Sequence, residues 1–363
     1  MKKWIAGLLC LCLLFLGGCG AKEATPTTTA VTTVATTAET TVETTVETTA
    51  PPVVTVGISL PNQTQQRWLD EGEQLTRALK GLGYEVNLEN AQDDAFAQTE
   101  QVEEMLDKVD CLIIAAVDAI SLAQVLNQAK IPVIAYDRLI MNTDKVSGFV
   151  GYDSLNVGAD VAQRIVEEKA LETAAAESRS YTVELFMGDY KNQNDVLFYQ
   201  GVMQVLEPYL QSGVLTCPSG RTAFEDNCVA SYDGEAAGQA LEEILRKHYA
   251  KKTYPQIILT AHDEIAAGCI RMLTEKGCSQ ENWPLITGQQ TTEEGVKQLV
   301  NGSLFLSVHY NTAELADACA EMTHQVLQGE PAGAMQWHNG EAEIPADLFF
   351  PALVNKDNYH KEI

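Results

Sequence analysis

The stretch Pro132-Val133-Ile134-Ala135-Tyr136-Asp137-Arg138-Leu139-Ile140 decides how the chain is read. Its apolar opening is too short for a helix and lacks the apolar–polar alternation of a strand with one wet face. Such a run marks a strand of a parallel sheet, covered on both sides. It ends abruptly in an acid and a base, Asp137 and Arg138. Working outward, runs of the same kind recur at 53–58, 84–88, 111–116 and 148–150, and again at 182–186, 214–216, 256–260, 285–287 and 304–308. Between them lie amphipathic stretches with a period of about 3.6 residues, such as Trp68, Leu75, Leu79, Leu82 and Val102, Met105, Leu106, Val109. Later ones cover 155–168, 196–209, 235–249, 265–276 and 313–327. Strands alternating with helices predict an α/β chain with parallel sheets. An eight-fold barrel uses the same alternation, but about ten strands over this length fit two doubly wound lobes better.

Other strands end as this one does. Asp153 follows the 148–150 run, Asp263 follows 256–260, and Gln289-Gln290 follow 285–287. In open α/β sheets the ligand crevice lies beyond the carboxyl ends of the strands. Taken singly, each residue also suits a helix cap, as Asp263 before Glu264 or Ser154 before Leu155 would be. Their recurrence, with arginines and aromatics nearby, points to a site, and the residue types suit a sugar. A hydroxyl both donates and accepts, so its site needs Asp and Gln as acceptors and Arg and Asn as donors. Charge-assisted bonds from Asp137 and Arg138 would be the stronger ones. A pyranose also has C–H faces that a flat aromatic covers. Trp68, beside Arg67 at the start of the first helix, is the candidate, and it reads equally as that helix's first core residue.

The N-terminus carries Lys2 and Lys3, then an apolar run from Trp4 to Leu16 that stops at Gly17-Gly18-Cys19. A basic start, a short apolar core and small residues read as a secretory signal over 1–18. The run is shorter than the roughly 20 residues of a spanning helix. With Leu16 three places before Cys19 and Gly18 just before it, the stretch resembles a lipoprotein signal. That resemblance implies cleavage before Cys19, diacylglycerol on its thiol, acylation of its new amine, and a chain tethered outside the cytoplasm by its lipid. Residues 19–52 are Thr-rich, end in Pro51-Pro52 and offer no apolar face, so they read as a linker. As a coil it would reach roughly 30 Å, and about 110 Å when stretched.

The 363-residue chain carries a formal charge of −26. Such acidity repels nucleic acid and anionic lipid, so neither is an expected partner, and no basic DNA-reading segment is present. Of the nine cysteines, Cys111, Cys269 and Cys319 fall in apolar stretches and read as small buried hydrophobes. Cys217 and Cys228 bracket a polar loop and form a candidate disulfide for an oxidising compartment. No CxxC pair or Asx-rich loop occurs, and His262 and His309 lack partners at ligand spacing, so no metal is expected. No G-x-x-x-x-G-K-[ST] run is present, and no cofactor is expected.

Ser59-Leu60-Pro61 with Arg67-Trp68, the run 133–140, Glu184-Leu185-Phe186 leading to Asn194, Asp263, Gly288-Gln289 and Lys356-Asp357-Asn358-Tyr359 go together. In order and with few gaps, from about 53 to 359, they resemble the sugar-binding proteins of ABC transporters, in the xylose and multiple-sugar branch. The resemblance implies a type I periplasmic binding fold, two doubly wound parallel-sheet lobes joined by a three-segment hinge. Lobe one would take 53–152 and 290–337, and lobe two 153–289 and 338–363. Sugar contacts would fall on Arg67, Trp68, Asp137, Arg138, Asp153, Asn194 and Asp263, with Gln290 where an Asp is usual. Other departures are Ser154 for Asn, Asp195 for Ala and Tyr310 for Lys. They leave the choice among xylose, glucose and galactose open.

The function expected is a ligand-driven hinge: a monosaccharide bridges two half-sites and stabilises a closed monomer that docks on an ABC permease. A sensor lipoprotein that hands its loaded form to a membrane kinase or chemoreceptor would use identical binding chemistry. A lipid-anchored glycoside hydrolase would instead need two carboxyls flanking one bond, one of them with a raised pKa. A carboxyl beside a guanidinium, as at 137–138, suits accepting hydrogen bonds more than donating a proton. No Ser–His–Asp or Cys–His order stands out, so the chain is read as a binder and not an enzyme.

Overall fold

All ten apolar runs form strands: β1 (Thr55–Leu60), β2 (Glu85–Asn90), β3 (Cys111–Ile114), β4 (Val133–Asp137), β5 (Val146–Tyr152), β6 (Tyr181–Phe186), β7 (Leu215–Thr216), β8 (Ile257–Thr260), β9 (Leu285–Ile286) and β10 (Ser307–His309). Three more follow: β11 (Met335–His338), β12 (Glu343–Phe349) and β13 (Ala352–Val354). The computed structural model describes residues 53–363 except 175. The expected signal, Cys19 and the linker lie outside the described residues. Among the described residues no helix is long and apolar enough to cross a membrane.

The strands make two sheets with different fates. The first has the order β11-β12-β5-β4-β3-β1-β2, parallel throughout except for the β11–β12 pair. The second has the order β7-β6-β8-β9 and is parallel. Backbone bonds from Gly288 N to Leu306 O (2.7 Å) and from Gln290 N to Val308 O (2.9 Å) carry β9 on to β10, which pairs antiparallel with β13. β3, β4 and β8 are buried at every position. That explains their unbroken apolar character, since helices cover both faces. On one side of the first sheet Trp68, Leu75 and Leu79 of helix Gln66–Gly81 pack with Leu315 and Cys319 of helix Thr312–Gln328. On the other side Val102 and Met105 of helix Ala95–Met105 pack with Leu122 and Val125.

The chain first passes between the lobes at Tyr152–Asp153, where β5 gives way to helix Ser154–Glu168. The later passages correct the expected boundaries. Helix Glu293–Asn301 and β10 belong with the second sheet, so the second passage lies at 309–312 rather than 290. β12 pairs with β5 in the first sheet, so the third lies at 349–352 rather than 337. The cause is hydrogen bonding: Gln290 remains tied to Val308, and β5 would have a bare edge without β12.

The expected disulfide is also corrected. Cys217 and Cys228 are both free. The Cys217 Sγ sits 3.5 Å from Glu184 Oε2, whereas the Cys228 Sγ–H donates to Phe224 O at 3.4 Å. Each thiol has its own local partner. Cys111, Cys269 and Cys319 are fully buried among apolar side chains.

Lobe two depends on a backbone-to-backbone helix contact. Gly201 of helix Gln193–Ser212 faces Leu155 and Ala159 of helix Ser154–Glu168, and a Cβ there would lie 1.9 Å from Leu155 O. No side-chain movement relieves a clash with a carbonyl oxygen. Gly201→Ala is therefore expected to lower the unfolding free energy by about 1–3 kcal/mol or more, read as a fall in the urea midpoint.

Candidate functional site

Both sheets end their parallel strands at one cleft, and the side chains there come from the junctions that the strands create. A polar-walled cleft lies between the lobes, partly open to solvent. Arg67, Trp68, Asp137 and Arg138 line it from lobe one, and Asn194 and Gln290 from lobe two. Six of the eight expected contact residues thus come together.

Asp137 ends β4 with a φ of 57°, a left-handed backbone in which the carboxylate leaves the strand line. Its Oδ1 accepts from Arg67 Nη2 at 2.5 Å, while Arg67 Nε donates to Glu71 Oε1 one turn along the same helix at 2.5 Å. Burial opposes the Arg67 charge, but the fields of Asp137 and Glu71 and their hydrogen bonds outweigh it and push the pKa well up. Glu71 is fully buried; that burial raises its carboxyl pKa and Arg67 pulls it back. The Trp68 ring, 1 % exposed, has the Arg67 Cζ at 4.5 Å and the Arg138 Cζ at 5.1 Å from its centroid. It seats both guanidiniums as well as lining the cleft. Arg138 also donates to Ala116 O at 3.1 Å.

Across the cleft Asn194 Nδ2 donates to the backbone oxygen of Asp137 at 3.0 Å, and Arg67 Nη1 reaches Gln290 Oε1 at 3.5 Å. Two buried polar atoms of wall residues, Arg138 Nε and Tyr152 Oη, have no hydrogen-bond partner among the described residues.

Asp153 and Asp263 are corrections. Neither lines the cleft. Asp153 caps helix Ser154–Glu168, accepting from Asn156 N (3.1 Å) and Asn156 Nδ2 (2.6 Å). Asp263 has no exposure and accepts from Ser307 Oγ (2.7 Å) and Thr292 N (2.9 Å), so it braces β10 and the start of helix Glu293–Asn301. A strand-end carboxylate serves a free amide or hydroxyl as readily as a ligand, and here the nearer donor wins. His262, not Asp263, caps helix Asp263–Glu275, its Nδ1 accepting from Glu264 N at 3.3 Å.

Several wall residues went unread. His262 stacks on Tyr232 with centroids 4.7 Å apart, and Phe198 lies nearby in the wall. Burial pushes the His262 imidazole down to about 3, so it is neutral. Tyr232 arrives through a short kinked turn where Ser231 and Tyr232 both have positive φ, a shape with no sequence signature here. Asp195 also lines the cleft, and burial raises it to about 6 against bonds from Tyr232 Oη and Asp189 N, both 2.8 Å. The signal for it was the polar cluster Asn192-Gln193-Asn194-Asp195 after β6.

Residues 56–331 match the family model for the periplasmic binding protein domain. The chain belongs to that family. The multiple sugar-binding periplasmic protein SbpA of Azospirillum brasilense is 33% identical over 313 residues, covering 84% of this chain and 87% of that protein. The multiple sugar-binding periplasmic receptor ChvE of Rhizobium radiobacter is 31% identical, covering 85% and 88%. Among solved structures, an ABC transporter solute binding protein from Clostridium phytofermentans with bound β-D-glucose superposes with a TM-score of 0.79 and 35% identity, covering 85% of this chain and 95% of that one. Type I periplasmic binding proteins of this kind are binding proteins, and the two-lobed α/β architecture is theirs.

Two consequences are measurable. Arg67→Ala leaves Glu71 and Asp137 without their cation, so the unfolding free energy should fall by roughly 3 kcal/mol. That is the low end for a broken buried pair, because a fifth of Arg67 is exposed. Burial raises Asp263 to about 7, so between its unfolded value near 4 and about 7 the folded state holds a proton that the unfolded chain has shed. Folding therefore weakens as pH rises through that window, and the cost is complete above it. Asp263→Asn, which cannot ionise, should be more stable than the parent by on the order of 2 kcal/mol at pH 8. The gap should narrow at pH 5.5 in urea unfolding.

Proposed function

We propose that this protein is an extracytoplasmic receptor that closes on a monosaccharide and delivers it to an ABC importer. The observation that carries the reading is the convergence of guanidinium, carboxylate and amide groups from separate strand ends of both lobes on one cleft. Arg67, Arg138 and Asn194 supply donors, Asp137 an acceptor and Gln290 both, which is the mixture a polyol requires. Trp68, Phe198 and the Tyr232–His262 stack offer flat apolar surface to the ring. The names of the relatives support the class: multiple sugars for two of them, glucose in the solved neighbour, and D-xylose for periplasmic proteins of Haemophilus influenzae and Escherichia coli.

Binding at both half-sites favours the closed form, because a ligand shifts an equilibrium only by its differential affinity for the two states. The N-terminal signal and Cys19 fit a chain anchored outside the membrane by lipid, working as a monomer beside its permease. Binding rather than hydrolysis is supported by the family, whose model describes a periplasmic binding protein domain, and by the sugar-binding names of its relatives. The relative named as a receptor favours a second reading, in which the loaded form is handed to a membrane sensor. Capture of the closed form's membrane partner separates the two.

The test is a panel of pentoses and hexoses read by melting temperature and small-angle scattering. At a hundredfold excess over Kd, a bound aldose adds about 2.7 kcal/mol, several degrees of melting temperature, together with a smaller radius of gyration. Silence from every aldose in both measurements would remove the reading.

A further inference from the structure

The lobes touch at a point that no ligand contact requires. Ala119, in the loop after β3, donates its amide to Lys191 O, in the loop after β6, at 3.2 Å. The neighbours Ile120 and Tyr190 are 60% and 64% exposed, so this bond lies at the rim of the cleft. Each loop is preset for it. On lobe one, Asp118 Oδ1 accepts from Ile120 N (2.9 Å) and Ser121 N (3.0 Å), and Met141 N holds Ala119 O at 2.7 Å. On lobe two, Asp189 Oδ1 accepts from Lys191 N at 3.0 Å, and Asn192 N donates to Asp189 O at 3.0 Å.

The lobe-two turn is in turn fixed from inside the cleft. Asp195 Oδ2 accepts the Asp189 amide at 2.8 Å and the Tyr232 hydroxyl at 2.8 Å, and Tyr232 Oη accepts from Asn192 Nδ2 at 2.9 Å. A Cβ at Gly188 would lie 2.2 Å from that same Oδ2, so the loop backbone lies directly on the carboxylate. A continuous line of hydrogen bonds thus runs from a buried cleft carboxylate through Asp189 to a bond between the lobes at the rim.

We propose that Asp195 is a positioning residue for cleft closure: through Asp189 it holds the 187–192 loop in the shape that latches onto the Ala119 amide. The inference rests on the cleft being the ligand site, and it adds to that reading a control on how long the closed form lasts. The Ala119–Lys191 bond exists only when the lobes meet, so a loop shaped by Asp195 for that bond favours the closed arrangement. Its loss should speed opening and leave the encounter with ligand nearly untouched, as most affinity differences within one interface lie in dissociation.

The experiment is amide hydrogen exchange at Asp189 in the ligand-free chain and at Ala119 with the tightest aldose of the panel bound, with dissociation of that aldose as the second readout. The parent should protect the Asp189 amide without sugar and the Ala119 amide with it. Asp195→Ala should speed exchange at both amides, and Asp189→Ala at Ala119, about tenfold or more, while Asp195→Asn should restore the protection, since an amide oxygen accepts the same two bonds. Asp189 does not line the cleft, yet Asp189→Ala should raise the sugar off-rate about tenfold with the on-rate within twofold. An Ala119 amide exposed in the sugar-bound parent, or either amide equally protected in Asp195→Ala, would overturn the proposal. So would an Asp195→Asn variant that behaves as Asp195→Ala. An off-rate raised by Asp195→Ala but not by Asp189→Ala would assign Asp195 to direct sugar contact and overturn it as well. Failure of every aldose to bind would remove the sugar reading alone, because protection of the Asp189 amide by Asp195 is read without ligand.

Discussion

Arg67 is bonded in two directions at once, and the arrangement of lobe one at the cleft follows from that. One arm reaches Glu71 on its own helix, and the other reaches Asp137 at the end of β4. A mostly buried cation between two buried carboxylates tolerates poorly the loss of either partner, because an uncompensated charge in low dielectric costs more than a pair contributes. The first helix is therefore pinned to the fourth strand at the height of the cleft. Trp68, the next residue, is held where both guanidiniums lie over its ring. The site is preorganised by charge, with packing behind it.

Backbone conformation adds to that preorganisation. Asp137, Tyr232 and Gln290 all line the cleft and all have positive φ, at 57°, 55° and 91°. Non-glycine residues in that region cost on the order of 1–3 kcal/mol each and persist only where the surroundings enforce them. Three such residues around one cavity mark it as the place where the fold gives up stability for side-chain direction.

The sequence made the buried strands legible because β3, β4 and β8 have helices on both faces and must be apolar throughout. β11, β12 and β13 escaped the same reading. β11 is an exposed edge, β12 carries Pro345 and a mixed face, and β13 is three residues long. Missing β12 displaced the third lobe boundary, whereas the second moved because Gln290 and β10 stay with the second sheet. At the site, Asp137 and Arg138 were legible as charges directly after an apolar run, whereas Arg67 and Trp68 stood out at the start of the first helix and through the family resemblance. Asp153 and Asp263 had another use, as a cap and as a brace, and no local pattern separates these roles from ligand contact. Tyr232 comes to the cleft through a kink whose backbone angles no residue type announces, and His262 stacks on it from the cap of another helix.

The late position of β12 also bears on when the molecule becomes native. Strands β1 to β5 are all translated before residue 153, yet β5 waits for a neighbour nearly two hundred positions downstream, as in the register of Phe149 with Ala346. Pairings so distant in sequence form slowly, since the intervening chain must be ordered before they are rewarded. A nascent polypeptide lacking its last thirty residues would carry an unsatisfied ribbon of amides and carbonyls along β5. Completion of synthesis, more than the early appearance of the N-terminal half, sets the moment at which lobe one can lock.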